Sequence, residues 1–518
     1  MTLVNFLGRN IMFFLVHLVN AVDVVLAKSG RVYKILLIPG FERLRWRLGV
    51  WRAWRTFYRT YARVPAYRKF LDQRGGIPKL RLTNGNLPDL TIIPETDKDN
   101  YIKPFPIAEK SLDGKIPSRG VMIDESSGSS GKPTSWVRGP TERHITSQMI
   151  RLNYEESVTD KRQVIILNAF ALGAWATGMN VSISLTPAAI LKSTGPNLDK
   201  IVSTMLEFGP SFRYVLMGYP PFLKSVADDL RIDWAQFDAD ICYGGEGVSE
   251  SLRDYLLKRF KKVVGSYGAS DLEINMAFES EAAIFLRRLI LSDEAARKAI
   301  IRSDYGVTPM IFQYNPLAYY IETNDKGELV VTIARPTNLS PRVRYNIHDR
   351  GHVLRLPELQ KKLAATGYAD QFATVKGLLD LPFLFVYGRS DMSISYYGAK
   401  VTPDSVREVL YGIEELAPTL STFRLISYED AKHDQRMEIA IEIIEGADIP
   451  KQAPAIAKSA IERLAKINGD FSNAYFRTAT TDNLAEVNFY AYCTGPFTGG
   501  QKRLKNEYVA SSLKYDKL

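Results

Sequence analysis

The sequence predicts an α/β chain: a large N-terminal domain of mixed, largely parallel sheets flanked by helices, with a barrel-like part, and a small mobile C-terminal α+β domain. Three observations carry this. From Val121 to about Val386, short β-rich runs (RQVIILNAF, FRYVLMGY, DADICYGGE, KKVVGSYG) alternate with helical stretches such as SESLRDYLLKRF, the pattern of parallel strands covered on both faces. Within that span GELVVTIAR and SPRVRYNIHDRGHVLRL read as a more antiparallel, barrel-like region. After Gly388 a helix (TPDSVREVLYGI), a strand (RMEIAIEII) and a further helix (KQAPAIAKSAIERLAKI) make a separate small unit.

Taken in chain order, the 518 residues are long enough for two or more domains, and 46% hydrophobic with 24% charged residues is ordinary globular composition. The run 11–27 is strongly apolar, but His17, Asn20 and Asp23 interrupt it, which argues against a membrane span. Next, Leu44, Leu48, Trp51, Trp54, Tyr58 and Tyr61 recur at helical spacing with arginines opposite, so 41–70 reads as a basic amphipathic helix. Its aromatic stripe packs on the main domain, or it meets an anionic membrane surface or an acidic carrier protein. Residues 65–123 read as loops and short helices leading into the sheet. The divisions expected are a helical extension over 1–75, a large domain over 76–388 and a lid over 389–518.

Charge and cysteine usage exclude several classes. The net charge of +10 concentrates between Arg43 and Lys69, which argues for a local partner and against a nucleic acid. Two cysteines, Cys242 and Cys493, allow neither a disulfide framework nor a four-ligand zinc site. A reducing, cytoplasmic location follows, at the inner face of a membrane if the basic helix docks there. His348 and His352 stand four apart in a turn, without metal-ligand context.

The chemistry concentrates in a few segments. SSGSSGKPT (126–134) offers hydroxyls, small residues and one lysine, as a loop cradling phosphate requires. It is not the common P-loop, which would place glycine at Ser126 and a hydroxyl residue at Pro133. YGGEG (243–247), GSYGASD (265–271), PRVRYNIHDRG (341–351), GRSDMSISYYGAKVTP (388–403) and GPFTGGQKRLK (495–505) follow in that order. Taken singly, each has a plain structural reading: Glu246 as an early-turn charge on a helix, and Asp349 as a turn cap before Gly351.

Together these segments resemble the adenylate-forming superfamily of acyl-CoA synthetases and AMP-binding enzymes. The likeness runs nearest to the phenylacetate-CoA ligase branch and covers roughly residues 60–510. It implies an ATP-dependent, AMP-forming acid–thiol ligase. Ser126, Ser127, Gly128, Ser129, Ser130, Gly131 and Lys132 would hold the phosphates. Gly245, Glu246, Tyr267, Gly268 and Ser270 would line the nucleotide pocket. Asp349 would take the ribose hydroxyls and Arg389 the adjoining phosphate. Asp271 stands where the family often has Glu and would hold Mg2+, with Glu273 as second choice. Asp391 would be the hinge, followed by Met392 in place of a second acid, and His348 stands where glycine is common. The lysine near the chain end falls at Gln501 on a strict match, which leaves Lys502 or Lys505, of which Lys502 is preferred.

NAFALGAWATGMN (168–180) resembles the acyl-pocket helix of aryl-CoA ligases. Phe170 and Trp175, with Tyr243, Gly244 and Ala269, are the expected pocket residues, although Phe170 and Trp175 serve equally as core. An aromatic acid is the first expectation and a fatty acid the second. The expected cofactors are ATP, Mg2+ and CoA or phosphopantetheine. Carrier-thiol and amine acceptors, and a non-catalytic scaffold that kept the fold, stand as alternatives.

Overall fold

The computed structural model describes residues 11–21, 37–126, 134–158, 162–302, 308–389, 393–430, 432–498 and 509–511. The chain enters through α1 (11–21), α2 (Glu42–Arg63) and α3 (Pro65–Asp72). A hairpin of β1 (Met122–Ser126) and β2 (Thr134–Arg138) follows, in antiparallel register from Met122–Arg138 to Ser126–Thr134. Then come α4 (Pro140–Ser157), β3 (Val164–Asn168), α5 (Ala176–Leu185), β4 (Ile190–Ser193), α6 (Leu198–Phe208), β5 (Arg213–Gly218), α7 (Pro220–Ala227), β6 (Asp238–Gly244), α8 (Glu250–Leu257) and β7 (Val263–Tyr267). β8 (Ala277–Phe278), β9 (Met310–Tyr314), β10 (Tyr319–Thr323), β11 (Glu328–Ile333), β12 (Tyr345–Leu354) and β13 (Phe383–Arg389) complete an eleven-stranded sheet in the order β10-β11-β12-β13-β9-β8-β7-β6-β5-β3-β4.

From β4 to β7 the pairing is parallel, and from β7 to β10 antiparallel. The β-rich segment read from sequence as barrel-like therefore continues the main sheet. The parallel half is buried on both faces: all six residues of β5 are buried, as strands covered by helices on both sides must be.

The helix α2 packs against this large domain. Trp51, Trp54 and Phe57 are buried in one core with Leu317 of the β9–β10 turn and Ile321, Val331 and Tyr345 of the sheet, so most of its aromatic stripe packs inward, while Leu44 and Tyr58 stay exposed. Each such side chain contributes about 2–3 kcal/mol of transfer free energy. The arginines expected to stay solvated divide. Arg45 is buried against Asp380 at 3.4 Å, and Arg52 is buried with its guanidinium on the Leu317 carbonyl at 2.7 Å and Asn20 at 2.8 Å. Close approach is possible because α2 crosses at Gly49, where a Cβ would run into the Pro316 carbonyl.

After the sheet, a small hairpin of β14 (Ile394–Tyr396) and β15 (Ala399–Val401) opens the C-terminal unit. Its own four-stranded sheet runs β18 (Glu486–Tyr490), β17 (Gln435–Ile443), β16 (Leu420–Glu429), β19 (Val509–Ser511). The helices Pro403–Tyr411 and Ala453–Ile467 close a separate core around Leu425, Ile441, Leu410 and Leu464. Among the described residues no helix is long and apolar enough to cross a membrane.

Candidate active site

The C-terminal ends of the parallel strands open onto one side of the sheet, the usual place for a ligand in an open α/β fold. Strand β7 ends in Tyr267, and the segment after it is pinned as a tight turn by the Ala269 N–H on the Glu273 carbonyl at 2.9 Å. The Tyr267 hydroxyl donates to Asp349 Oδ2 at 2.7 Å. Asp349 on β12 faces Arg389 on β13 in register, with Nη1 3.5 Å from Oδ1. That same Nη1 donates to the Ile347 carbonyl at 2.7 Å, which fixes the guanidinium. Burial, then the Asp349 carboxylate, drives the Tyr267 phenol well above its ordinary pKa, so it stays a donor.

His348, beside this aspartate, has a φ of 62°, the left-handed region that glycine enters freely. Here the residue is held by the Asn346 side chain, which accepts from its N–H at 2.8 Å, and by Glu328, 3.3 Å from Nδ1.

Asp271, expected to hold a metal, has other partners. Lys98 Nζ lies 3.2 Å from Oδ1 and the Tyr345 hydroxyl donates to Oδ2 at 2.8 Å. Burial pushes this carboxyl up, but Lys98, Lys400 and the Tyr345 bond outweigh it and bring it below its ordinary value. Glu273 is paired with Arg335 and accepts from the Tyr319 hydroxyl inside the large domain. Among the described residues no cluster of three carboxylate, imidazole or thiol groups forms. A magnesium ion usually takes one or two carboxylates plus substrate phosphates. Both carboxylates here are already engaged, so they do not fit as a ready-made Mg2+ site.

The acyl-pocket candidates separate by strand pleat. Tyr243 turns into the core, its hydroxyl donating to Glu279 at 2.9 Å beside Arg253. That removes it from the pocket, because neighbouring residues of β6 point to opposite faces. Gly244, on the other face, leaves room for Phe170: a Cβ there would lie 3.6 Å from its ring. Phe170 is buried and meets Tyr219 edge to face at 5.3 Å. Tyr219 fills the space over Gly245, where a Cβ would come within 2.7 Å of its ring. Trp175 is half-buried before α5, where the chain bridges to β1 through the Glu125 N–H on the Ala174 carbonyl at 3.0 Å.

Behind α5 lies a small polar cavity of about 20 Å3, room for about one water. Asp124, Arg138, Glu142 and Asn180 line it. Arg138 sits 3.5 Å from Asp124 and also donates to the Ser270 carbonyl. Burial pushes the Glu142 carboxyl up to about 7, against the pull of Arg138.

The small domain closes over the site. Glu246 accepts from the Gly398 N–H of the β14–β15 turn, and Ser395 and Gln435 also bond to it. Burial raises the Glu246 carboxyl, these bonds opposing it. Gly398 packs on Tyr219, with room for no Cβ: one would lie 2.8 Å from the ring. Lys400 on β15 reaches the field of Asp349 and Asp271; burial, then Arg389, brings its pKa below the ordinary lysine value, the two carboxylates opposing. Ser249 donates to Glu429 at 2.8 Å and Lys224 pairs with Asp434 at 2.8 Å across the same boundary.

Lys98, Tyr345, Tyr219 and Lys400 escaped sequence reasoning. Tyr345 and Lys400 lay within motifs that were read (341–351 and 388–403), whereas Lys98 and Tyr219 belong to no quoted pattern of charge or spacing that marks a site. Residues 127–132, Asp391, Gln501, Lys502 and Lys505 lie outside the described residues. Ser126 is the last residue of β1.

No protein-family model and no curated protein matches the sequence. Among solved structures, the chain is similar to 2-hydroxyisobutyryl-CoA ligase in complex with 2-HIB-AMP and CoA in the thioesterification state. The identity is 13% and the TM-score 0.63, over 92% of this chain and 91% of that one. An open conformation of the same ligase, again with 2-HIB-AMP and CoA, is similar at 13% identity and a TM-score of 0.50, over 89% and 90%. At this identity the likeness concerns the fold: a mixed α/β large domain with a smaller C-terminal domain, as in adenylate-forming enzymes.

Proposed function

We propose that the chain is an AMP-forming ligase that activates a small carboxylic acid as an acyl-adenylate and passes the acyl group to the thiol of CoA. The observation that carries this reading is the Tyr267–Asp349–Arg389 cluster at the ligand-facing edge of the sheet. Asp349 would give up Tyr267 and accept both ribose hydroxyls, for which two carboxylate oxygens suit a vicinal diol. Arg389 would stay over the adjoining phosphate, with the Tyr267 ring beside the adenine.

In the first step a carboxylate oxygen attacks the α-phosphorus and the bond to pyrophosphate breaks. Negative charge gathers on the phosphoryl oxygens, and fixed cations are the usual dominant source of rate in such transfers. Lys98 in the described cluster, with Lys132 and Lys502, would supply them, and Ser126 to Gly131 would cradle the phosphates. Mg2+ is read as arriving with ATP as part of the substrate. In the second step a thiol attacks the adenylate carbonyl and AMP leaves.

The domain division at 75/76 and 388/389, with Asp391 as pivot, belongs to this reading, as does membership of the phenylacetate-CoA ligase branch. CoA is preferred to a carrier thiol or an amine because the similar solved ligase carries CoA with its adenylate. The rings of Phe170 and Tyr219 already occupy the space beside Gly244 and Gly245, which favours a short or flat acid over a long fatty acid.

Pyrophosphate release from MgATP, measured over short aliphatic, aromatic and fatty acids with and without CoA, tests this. Release with a short or flat acid, stimulated by CoA and lost in Asp349→Ala, is expected. Nucleotide binding without release for any acid would make the chain a scaffold.

A further inference from the structure

The helix α1 presents an apolar ridge that stays exposed among the described residues. Its inner side is used: Val16 is fully buried, Phe13 meets Trp51 edge to face at 5.2 Å, and Asn20 and His17 bond to Arg52 and Arg55 at 2.8 and 2.7 Å. Its outer side carries Ile11, Phe14 and Leu18, at helical spacing, with relative exposures of 58%, 67% and 48%. Three large apolar side chains in one stripe on an ordered helix differ from the scattered exposed residues that any surface shows.

The ridge does not stand alone. On a 3.6-residue period Leu44, Trp51, Arg55, Tyr58 and Ala62 of α2 share one side. Since α1 is seated on Trp51 and Arg55, it lies across that side, and Leu44 and Tyr58 remain 41% and 40% exposed to its left and right along α2. Positive charge runs through the same surface. Arg55, Arg59 and Arg63 repeat at one turn, and both neighbours act on Arg59 as like charges, adding to burial in lowering its pKa. Asp113, the nearby acid, is bonded to Arg63. Among the described residues neither Arg55 nor Arg59 forms an ion pair with an acid.

We infer that this composite face, the Ile11–Phe14–Leu18 ridge of α1 flanked by the Arg55–Arg59 turn of α2, is a docking surface for an anionic lipid bilayer. An interfacial helix needs an apolar stripe that sinks to the acyl boundary and cations level with the headgroups. The ridge supplies the first and the arginine turn the second. Leu48, Trp51 and Trp54 of the α2 stripe take no part, because they are consumed in the core, whereas Leu44 and Tyr58 border the ridge. The inference is independent of the proposed chemistry.

Flotation of the full chain with vesicles tests it. One set is phosphatidylcholine alone and the other an equal mixture with phosphatidylglycerol, each at low and high salt. The chain is expected to float with the mixed vesicles and to be released by salt. The variant I11S/F14S/L18S is expected to lose at least about tenfold in the bound fraction. Its exposed side chains make the thermal transition a control, expected to be unchanged. R59E tests the charge and is expected to reduce binding to the mixed vesicles alone. Absence of flotation, or flotation that the serine variant retains, overturns the inference. So does self-association of the chain that the serine variant abolishes while neither form floats, which would assign the ridge to a second copy.

Discussion

Asp349 is the residue whose partners are most telling. It takes an aromatic hydroxyl at 2.7 Å and a guanidinium at 3.5 Å while only 8% exposed, so its removal takes the acceptor from the Tyr267 hydroxyl and leaves the Arg389 guanidinium on the Ile347 carbonyl. Asp349→Ala is expected to lower kcat/KM for pyrophosphate release by about 10²–10³, with the loss appearing chiefly in the ATP dependence. Glu142 makes a prediction about stability. Its carboxyl is raised from 4.5 to about 7 by burial, so the folded chain holds the proton where the unfolded chain releases it. The stability linked to it is therefore full below 4.5 and is lost as pH rises through about 7. The span corresponds to up to about 3 kcal/mol. Thermal unfolding followed from pH 5 to 8 is expected to fall less steeply in Glu142→Gln than in the native chain. Of these residues, Asp349 and Tyr267 were legible because each sits inside a contiguous motif. Lys98 was not, because a cation becomes a site residue only when distant segments bring it to Asp271; Lys400 stood inside the 388–403 motif, but nothing in that motif marked it as facing Asp271.

At the scale of elements, period is what the sequence states, and reading it more strictly would have excluded one residue. Tyr243 and Gly244 are neighbours on a strand, so both cannot face the same pocket. Helical period located the aromatic stripe of α2 but could not show that Arg45 and Arg52 are buried. Their partners, Asp380 and the Leu317 carbonyl, lie hundreds of residues away in the chain. The barrel-like region was misread for a related reason: antiparallel strands on an open sheet edge carry the same local pattern as strands that close on themselves. Two substitutions probe the packing. Gly49→Ala places a methyl against the Pro316 carbonyl, and α2 must lift from the sheet. A loss of about 3 kcal/mol in chemical denaturation is expected, against little change for Ala53→Gly beyond about 1 kcal/mol of helix propensity and lost packing. Tyr219→Ala empties the space over Gly245. It is expected to widen the acids accepted toward longer chains, read as the ratio of kcat/KM between a long and a short acid, with one methylene worth about 1 kcal/mol.

For the whole molecule, what matters is the boundary between the two domains, because the proposed chemistry asks the same site to serve two steps. In the arrangement described, Glu246, Ser249 and Lys224 of the large domain are bonded to Gly398, Glu429 and Asp434 of the small one. Lys400 lies in the field of the carboxylates that ATP would otherwise engage. A cation already in the field of Asp349 and Asp271 helps neutralise a bound nucleotide, and the hairpin that carries it is packed on Tyr219 at Gly398. On the proposed two-step cycle, this placement of the small domain would serve thiol transfer and another, with the chain-end lysine brought in, would serve adenylation. Cysteines at Ser249 and Glu429, joined by a short bismaleimide in a Cys493→Ser background, would hold the present placement. Cys242 does not compete, since burial pushes its thiol up to about 12. The linked chain is expected to lose pyrophosphate release from ATP while still transferring the acyl group from a supplied acyl-adenylate to CoA. The unlinked double variant is expected to do both. Equal pyrophosphate release before and after linking would mean that one placement serves both steps, and the pivot at Asp391 would then have no part in the cycle.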